Sequence, residues 1–219
     1  MDNLVKICGL STPETLDAAL SAGADMVGFV RFAKSPRHVS LNLGHRLALQ
    51  ARGRAQRVVL LVNPGDEDIA QAVEAINPDL IQLHGSETPE RVAEIRSMVK
   101  RPVMKALGVA EPSDLQALSP YAGADRILLD AKPPRTADAL PGGNGVSFDW
   151  RLLNGLDRKV SFMLSGGLNP DNVAEAIRLT KTQAVDVSSG VETGPGLKDP
   201  ARIEAFIKAA RTAFAAAHH

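Results

Sequence analysis

The sequence predicts an α/β fold, a (β/α)8 TIM barrel, as a single domain over residues 1–219. Short β-branched runs alternate with longer amphipathic stretches about eight times. The runs begin roughly 25 residues apart, close to the length of a βαβ unit, and right-handed units repeated eight times close into a barrel. An open doubly wound sheet is the alternative, but it needs a glycine-rich turn after the first strand, where this chain has Cys8-Gly9-Leu10-Ser11.

Each predicted strand is a short, almost continuously apolar run. Such runs are typical of strands that are buried on both faces of a parallel sheet. The predicted strands are residues 4–8, 26–30, 57–62, 80–84, 103–107, 126–130, 161–165 and 184–188.

Capping signals predict where the helices between these strands begin and end. Thr12 precedes Pro13 and Thr88 repeats the arrangement, which is typical of an N-cap followed by proline in the first turn. Gly23 and Gly123 stand in near-identical Ala-Gly-Ala-Asp segments and are predicted to end helices in the left-handed conformation. Two further helix starts are predicted at Pro112-Ser113-Asp114 and Asn169-Pro170-Asp171.

The composition argues against several classes of protein. The 25 basic residues equal the 25 acidic residues, and only 4% of residues are aromatic, so no nucleic-acid or membrane partner is indicated. The single cysteine excludes an intrachain disulfide, which fits a cytoplasmic location. The N-terminus does not resemble a signal peptide, and no apolar run is long enough to span a membrane. Residues after about 215 are expected to be disordered or derived from a tag.

Reactive side chains fall at the predicted C-terminal strand ends, where barrels place their active sites. Cys8 is either a buried small hydrophobe or a catalytic thiol, and Asp130 is either catalytic or a structural hydrogen-bonding acid. Arg37 is either a carboxylate-binding group or part of an exposed basic loop. His84 is a ligand, a base or a structural histidine, and Asp186 is a buried acid or an organiser of the site. No metal-ligand spacing is present, so no metal is predicted.

Glycine-rich turns after strands seven and eight predict a phosphate site. Glycines let backbone N–H groups approach an anion closely, and many barrels bind phosphate in these two loops. The alternative is that these glycines serve only as left-handed turn residues. The residues are Gly166 and Gly167 in one turn, Ser188, Ser189 and Gly190 in the other, and Gly142, Gly143 and Gly145 in a long sixth loop over residues 132–149.

Six segments together resemble one family, the phosphoribosylanthranilate isomerases of tryptophan biosynthesis. They run in order over nearly the whole chain, and KICG, KSPR, QLHG and VDVSSGVE in one sequence are specific to that family. The chain departs from the family at Asn144 and Val146 in loop six and at Ala131, where serine is common. The segments are VKICGL, FAKSPRHVS, IQLHG, ILLDA with PGGNGVSFDW, LSGGL and VDVSSGVETGPGLKD.

The resemblance implies an Amadori rearrangement that needs no cofactor. It makes Cys8 the general base, Asp130 the general acid and Arg37 the group that holds the anthranilate carboxylate, and it places the substrate phosphate on the glycine-rich turns. This chemistry requires a carboxyl group with a raised pKa and a thiol with a lowered pKa. Lys6 or the loop dipoles are the candidate sources of positive potential near the thiol. The orientation of Lys105 within its strand is open, and the barrel interior is one candidate position for its charge.

Two other functions remain open from the sequence. One is a related sugar-phosphate barrel isomerase of histidine biosynthesis. Those enzymes typically carry Asp at the end of the first strand, so Cys8 argues against this function. The other is a barrel that binds a phosphorylated ligand without catalysis. The expected partner in each case is a small phosphorylated molecule, and the chain is expected to be a monomer or a homodimer.

Overall fold

The computed structural model describes residues 3–133, 140–156 and 160–217. In these ranges eight parallel strands pair in chain order and the last pairs with the first, so the sheet closes and the predicted barrel is confirmed. Each strand overlaps its predicted run. The strands are β1 (Leu4–Cys8), β2 (Met26–Arg31), β3 (Gln56–Leu61), β4 (Leu80–Leu83), β5 (Val103–Val109), β6 (Arg126–Ala131), β7 (Phe162–Leu164) and β8 (Ala184–Val187).

Helices surround the barrel, and a short antiparallel hairpin follows β8. Among the described residues no helix is long and apolar enough to cross a membrane. The α-helices are α1 (Pro13–Ser21), α2 (Leu41–Ala51), α3 (Asp66–Ile76), α4 (Pro89–Val99), α5 (Val173–Thr180) and α6 (Pro200–Ala216). The hairpin consists of β9 (Glu192–Gly194) and β10 (Leu197–Lys198). The last helix continues to Ala216, and His218 and His219 lie outside the described residues.

The threonine caps and the helix start at Pro112 are confirmed, but the helix predicted to start at Asn169-Pro170-Asp171 begins later. Thr12 and Thr88 accept backbone N–H groups through their hydroxyls as N-caps. The segment Pro112–Tyr121 is a 3-10 helix because Pro120 lies inside it, where it lacks an N–H and its ring crowds the preceding turn. The Asn169 side chain accepts two following N–H groups in a turn, which delays the start of α5 to Val173.

The two Ala-Gly-Ala-Asp segments share a role at the N-terminal end of the barrel. Asp25 accepts a backbone N–H of β1 at 2.7 Å, and Asp125 accepts a backbone N–H of β5 at 2.9 Å. Gly23 is left-handed with φ +89, as predicted. The prediction for Gly123 is wrong, because that glycine follows a 3-10 helix and its φ is not positive.

Alternate side chains along the strands face two separate apolar regions. One set packs between the sheet and the helices. The other fills the barrel interior and consists of Met26, Val58, Leu80, Met104, Ala106, Leu128, Met163 and Ala184, with Leu4 beside them. Tight packing of this interior set leaves the C-terminal strand ends as the place where polar side chains converge.

Lys105 does not occupy the barrel interior, the candidate position for its charge. Lys105 alternates with the interior residues Met104 and Ala106, so its side chain points outward toward the helices. There its ammonium group donates to Glu87 Oε2 at 2.7 Å and lies 5.7 Å from the ring centre of Tyr121. This buried ion pair holds the loop that follows β4, and neither of its residues lines the cavity at the C-terminal strand ends.

Candidate active site

A cavity opens at the C-terminal ends of the strands. All but one of the residues predicted for the site line this cavity. Gly190 is the exception: a Cβ there would lie 1.8 Å from the Leu168 carbonyl oxygen, so this glycine serves close backbone packing. The predicted residues on the cavity wall are Cys8, Arg37, His84, Asp130, Gly142, Gly143, Gly145, Gly166, Gly167, Asp186, Ser188 and Ser189.

Cys8 ends β1 and is buried at the floor of the cavity. Gly28 on the adjacent strand leaves space for the thiol, since a Cβ at Gly28 would lie 2.8 Å from Cys8 Sγ. Burial raises the pKa of the Cys8 thiol above its ordinary value, the ammonium groups of Lys6 and Lys198 lower it, and Asp186 raises it. The lowered pKa expected for this thiol is therefore wrong for this structure, because burial outweighs the nearby positive charges.

Lys6 supplies the positive charge beneath the thiol, as the sequence suggested. Its side chain is fully buried, and Nζ donates to Asp186 Oδ1 at 2.7 Å. Burial lowers the pKa of Lys6, but Asp186 and Cys8 raise it more, so the net shift is upward and the ammonium form is favoured. Asp186 Oδ2 accepts the Ser165 hydroxyl at 3.2 Å, which makes Asp186 the organiser of this polar cluster.

Asp130 is the penultimate residue of β6, lies on the cavity wall and is part of a chain of three polar side chains. Asp130 Oδ1 accepts the backbone N–H of Ala131 at 2.9 Å. Its Oδ2 lies 3.1 Å from His84 Nε2, and His84 Nδ1 lies 3.0 Å from Gln82 Nε2. Gln82 lies in β4 and His84 directly follows this strand, so the end of β4 positions two of the three side chains and β6 positions the third. Gln82 was not predicted as a site residue, because in the sequence it is a single polar residue within an apolar strand.

Arg37 is buried, so the exposed-loop alternative for this residue is wrong. Its Nε and Nη2 donate to the two carboxylate oxygens of Glu192 at 2.7 and 2.8 Å. Nη2 also donates to the Gly143 carbonyl oxygen at 3.2 Å. The remaining nitrogen, Nη1, lies on the side of the guanidinium that loop six covers. A guanidinium fixed in this way can bind a carboxylate through its outer edge.

Glu192 and Lys198 were missed by the sequence reasoning, although both fall in the quoted segment VDVSSGVETGPGLKD. Lys198 Nζ donates to Glu192 and to the Ser188 carbonyl oxygen, the latter at 2.9 Å. Burial raises the pKa of Glu192, but Arg37 and Lys198 lower it more. Burial lowers the pKa of Lys198 and Glu192 only partly offsets this. The β9–β10 hairpin brings these two residues together, which no local pattern in the sequence signals.

Two turns offer backbone N–H groups to an anion. Gly166 and Gly167 have φ +86 and φ +67, which only glycine adopts freely. In the described part of the chain, neither N–H has a hydrogen-bond acceptor. A Cβ on Gly166 would lie 2.6 Å from the Ala131 nitrogen, so the turn also packs directly beside the Asp130 segment. Ser188 and Ser189 complete this end of the cavity.

Loop six lies over the cavity and contacts both halves of the site. A Cβ on Gly142 would lie 2.6 Å from His84 Nε2 and 2.9 Å from Asp130 Oδ2. A Cβ on Gly143 would lie 2.6 Å from Arg37 Nη1. Residues 134–139 of the predicted loop lie outside the described residues. Within the described ranges, no group of three or more His, Cys, Asp or Glu side chains is arranged to hold a metal ion.

Comparisons with known proteins give one consistent result. The family model described as N-(5'phosphoribosyl)anthranilate (PRA) isomerase matches residues 5–209. The chain is 59% identical to N-(5'-phosphoribosyl)anthranilate isomerase of Azorhizobium caulinodans, over 97% of this chain and 93% of that protein. It is similar to the crystal structure of phosphoribosyl anthranilate isomerase from Thermotoga maritima, with a TM-score of 0.86, 38% identity and coverage of 97% and 100%.

A second similar structure was solved with a bound ligand. It is a phosphoribosyl anthranilate isomerase in complex with reduced 1-(o-carboxyphenylamino)-1-deoxyribulose 5-phosphate. The chain matches it with a TM-score of 0.84 and 37% identity, over 97% of this chain and all of the other.

Proposed function

Since the chain belongs to the N-(5'-phosphoribosyl)anthranilate isomerase family, we propose that Cys8 is the general base and Asp130 the general acid of its reaction. The enzyme converts N-(5-phosphoribosyl)anthranilate to 1-(2-carboxyphenylamino)-1-deoxyribulose 5-phosphate in tryptophan biosynthesis. One observation carries the assignment of roles. The thiol of Cys8 and the carboxyl of Asp130 line one cavity from two different strand ends, and Arg37 and the free amides of the Gly166 turn line the same cavity.

The first step opens the ribose ring. Asp130 donates a proton to the ring oxygen as the bond between this oxygen and C1′ breaks, and the lone pair of the anthranilate nitrogen forms the C1′–N double bond. General acid catalysis is required because an alkoxide is otherwise a poor leaving group. His84 Nε2, 3.1 Å from Asp130 Oδ2, holds the carboxyl group in place on the cavity wall.

The second step moves the proton from C2′. The Cys8 thiolate removes this proton, the electrons of the C2′–H bond form the C1′–C2′ double bond, and the C1′–N π pair returns to the nitrogen. The resulting enolamine becomes the ketone when C1′ is protonated and the C2′ hydroxyl loses its proton. Lys6 and Lys198 favour the thiolate against the cost of burial, which makes both ammonium groups part of the activation of Cys8.

The two charged ends of the substrate are proposed to bind at opposite sides of the cavity. The phosphate accepts hydrogen bonds from the N–H groups of Gly166 and Gly167 and from the Ser188–Ser189 turn, with Gly145 of loop six nearby. The support is the absence of other acceptors for the two glycine amides in the described chain. The anthranilate carboxylate binds the outer edge of Arg37, whose inner edge Glu192 holds.

The enzyme is proposed to act in the cytoplasm on this small phosphorylated substrate, without a cofactor. Its neutral charge balance offers no basic surface for nucleic acid. One of the similar solved structures is described as monomers generated from a dimeric phosphoribosylanthranilate isomerase of Thermotoga maritima. Monomer and homodimer are therefore both proposed for this chain, and size-exclusion chromatography with light scattering decides between them.

Steady-state kinetics on freshly generated phosphoribosylanthranilate, followed by the loss of substrate fluorescence, tests the proposed roles. Cys8→Ala and Asp130→Asn are each expected to lower kcat by at least ~100-fold, the lower range for the loss of an acid or base. Asp17→Asn is the matched control, because Asp17 forms only an exposed surface ion pair with Arg54. Near-normal kcat in folded Cys8→Ala and Asp130→Asn enzymes would contradict the assignment.

A further inference from the structure

Gln82 is a fully buried amide in the barrel and lies on the wall of the cavity. Gln82 lies two residues after Leu80 on β4, so its side chain points to the same side of the strand, into the barrel interior. The neighbouring interior side chains are apolar. Its Nε2 has one partner, His84 Nδ1, and within the described chain its Oε1 has none. A buried amide with an unpaired acceptor costs stability. An apolar residue of similar size would avoid this cost, which indicates that the amide has a function.

The contact between Gln82 and His84 determines which ring nitrogen carries the proton. An amide NH2 group only donates, so His84 Nδ1 is the acceptor at 3.0 Å and holds no proton. The proton of the neutral ring then resides on Nε2, which donates to Asp130 Oδ2 at 3.1 Å. Asp130 Oδ1 already accepts the Ala131 N–H. With the amide in this orientation, both oxygens of Asp130 accept hydrogen bonds, which favours the carboxylate form.

The opposite orientation of the amide gives Asp130 its proton. A half-turn about the last side-chain bond of Gln82 places Oε1 against His84 Nδ1, where it can accept only if Nδ1 is protonated. His84 Nε2 then becomes an acceptor for an O–H group on Asp130. The change takes up one proton from solvent: the pair gains a proton at Nδ1 while the proton of Nε2 moves to Oδ2.

We propose that Gln82 is a positioning residue whose amide orientation sets the His84 tautomer and thereby determines whether Asp130 is a carboxylate or an acid. The proposal rests on the proposed role of Asp130 as the general acid. Gln82 does not act on the substrate itself. It explains why a fully buried amide stands two residues before His84 on the same strand end.

Two substitutions separate the two orientations. Gln82→Glu provides only an acceptor toward Nδ1 when ionised, whereas Gln82→Met fills the space and provides neither donor nor acceptor. Leu128→Met, at another interior position, is the control for altered packing. Long-range ¹⁵N–¹H NMR spectra of ¹⁵N-histidine-labelled protein report the tautomer, and the His84→Asn spectrum identifies the His84 signals.

The wild-type enzyme is expected to show His84 protonated at Nε2. Gln82→Glu is expected to show protonation at Nδ1 and to retain kcat within about threefold, because it keeps the acid-competent arrangement. Gln82→Met is expected to show a mixture of tautomers and a fall in kcat of about tenfold, the kinetic equivalent of one lost hydrogen bond, with little change in KM. The Leu128→Met enzyme is expected to match the wild type in tautomer and kcat.

Two results would overturn the proposal. One is an unchanged His84 tautomer in both Gln82 variants. The other is an equal loss of kcat in Gln82→Glu and Gln82→Met, which would mark Gln82 as a packing residue. The NMR spectra do not depend on activity, so they test the link between Gln82 and His84 even if Asp130→Asn retains full kcat and the assigned acid is wrong. Thermal melting of each variant confirms that the compared proteins are folded.

Discussion

Arg37 and Glu192 form a two-point ion pair in which Nε and Nη2 each donate to a different carboxylate oxygen, at 2.7 and 2.8 Å. Both side chains are buried, and Lys198 binds the same carboxylate while also donating to the Ser188 carbonyl oxygen. The proposed carboxylate end and the proposed phosphate end of the cavity are therefore joined through one ionic network. Paired donors on a planar guanidinium fix its orientation as well as its position.

Glu192→Gln is expected to raise KM about tenfold with a smaller effect on kcat. The substitution keeps the size of the side chain but removes the charge, so Arg37 loses one of its two carboxylate contacts and turns away from the substrate. The magnitude corresponds to one charge-assisted hydrogen bond at ~1.4 kcal/mol per tenfold change. Steady-state kinetics measures it, with Glu175→Gln as control because Glu175 pairs with Arg178 only on the surface. A change confined to kcat would contradict this role.

The same substitution is expected to change how stability depends on pH. The pKa of Glu192 in the folded protein lies below its ordinary value of 4.5, because Arg37 and Lys198 outweigh burial. A depressed carboxyl pKa contributes stability that is fully present above the unfolded-state pKa and is lost as pH falls through the folded-state pKa.

At neutral pH the Glu192→Gln enzyme is expected to be less stable by about 3–5 kcal/mol, the usual cost of removing one partner from a buried ion pair. The difference in the free energy of unfolding between the wild type and this variant should become smaller as the pH falls below 4.5. Urea unfolding over a pH series measures this difference. A difference that stays constant or grows on acidification would show that the charge of Glu192 is not what stabilises the fold.

Substitutions around the single cysteine are expected to move its pKa in opposite directions. Asp186→Asn removes a negative charge that raises the pKa of Cys8, so the pKa should fall. Lys6→Met removes the positive charge that lowers the pKa of Cys8 most, so the pKa should rise. The ultraviolet absorbance of the thiolate, followed against pH, measures both shifts without interference from another thiol. The Cys8→Ala protein provides the baseline, and shifts of the same sign in both variants would contradict the electrostatic origin.

The barrel could be predicted because its causes are local in the sequence. Eight apolar runs at regular spacing dictate buried parallel strands, and strand ends dictate where Cys8, His84 and Asp130 meet. The pKa of Cys8 could not be predicted, because it depends on the balance between burial, Lys6 on the same strand, and the charges of Asp186 and Lys198 from distant segments. Glu192 was missed for a similar reason: its partner Arg37 is 155 residues away in sequence.

Glycines of loop six are expected to be required for different steps. Alanine at position 142 would place a Cβ 2.6 Å from His84 Nε2, so Gly142→Ala should disturb the His84–Asp130 pair and lower kcat. Alanine at position 143 would meet Arg37 Nη1 at 2.6 Å and would strain a backbone with φ +74, so Gly143→Ala should mainly raise KM. Overpacking of this kind costs about 1–3 kcal/mol, which corresponds to roughly 5- to 150-fold.

Gly155→Ala is the matched control for both loop-six variants, because a Cβ there meets no atom of the described chain within 4 Å and its φ is not positive. Its kcat and KM should equal those of the wild type. Steady-state kinetics with all three variants separates the effects. If Gly142→Ala raised only KM, or if Gly143→Ala lowered only kcat, the division of loop six between the acid pair and the arginine would be wrong. The expected split follows from geometry alone, since the two adjacent glycines contact different groups of one cavity.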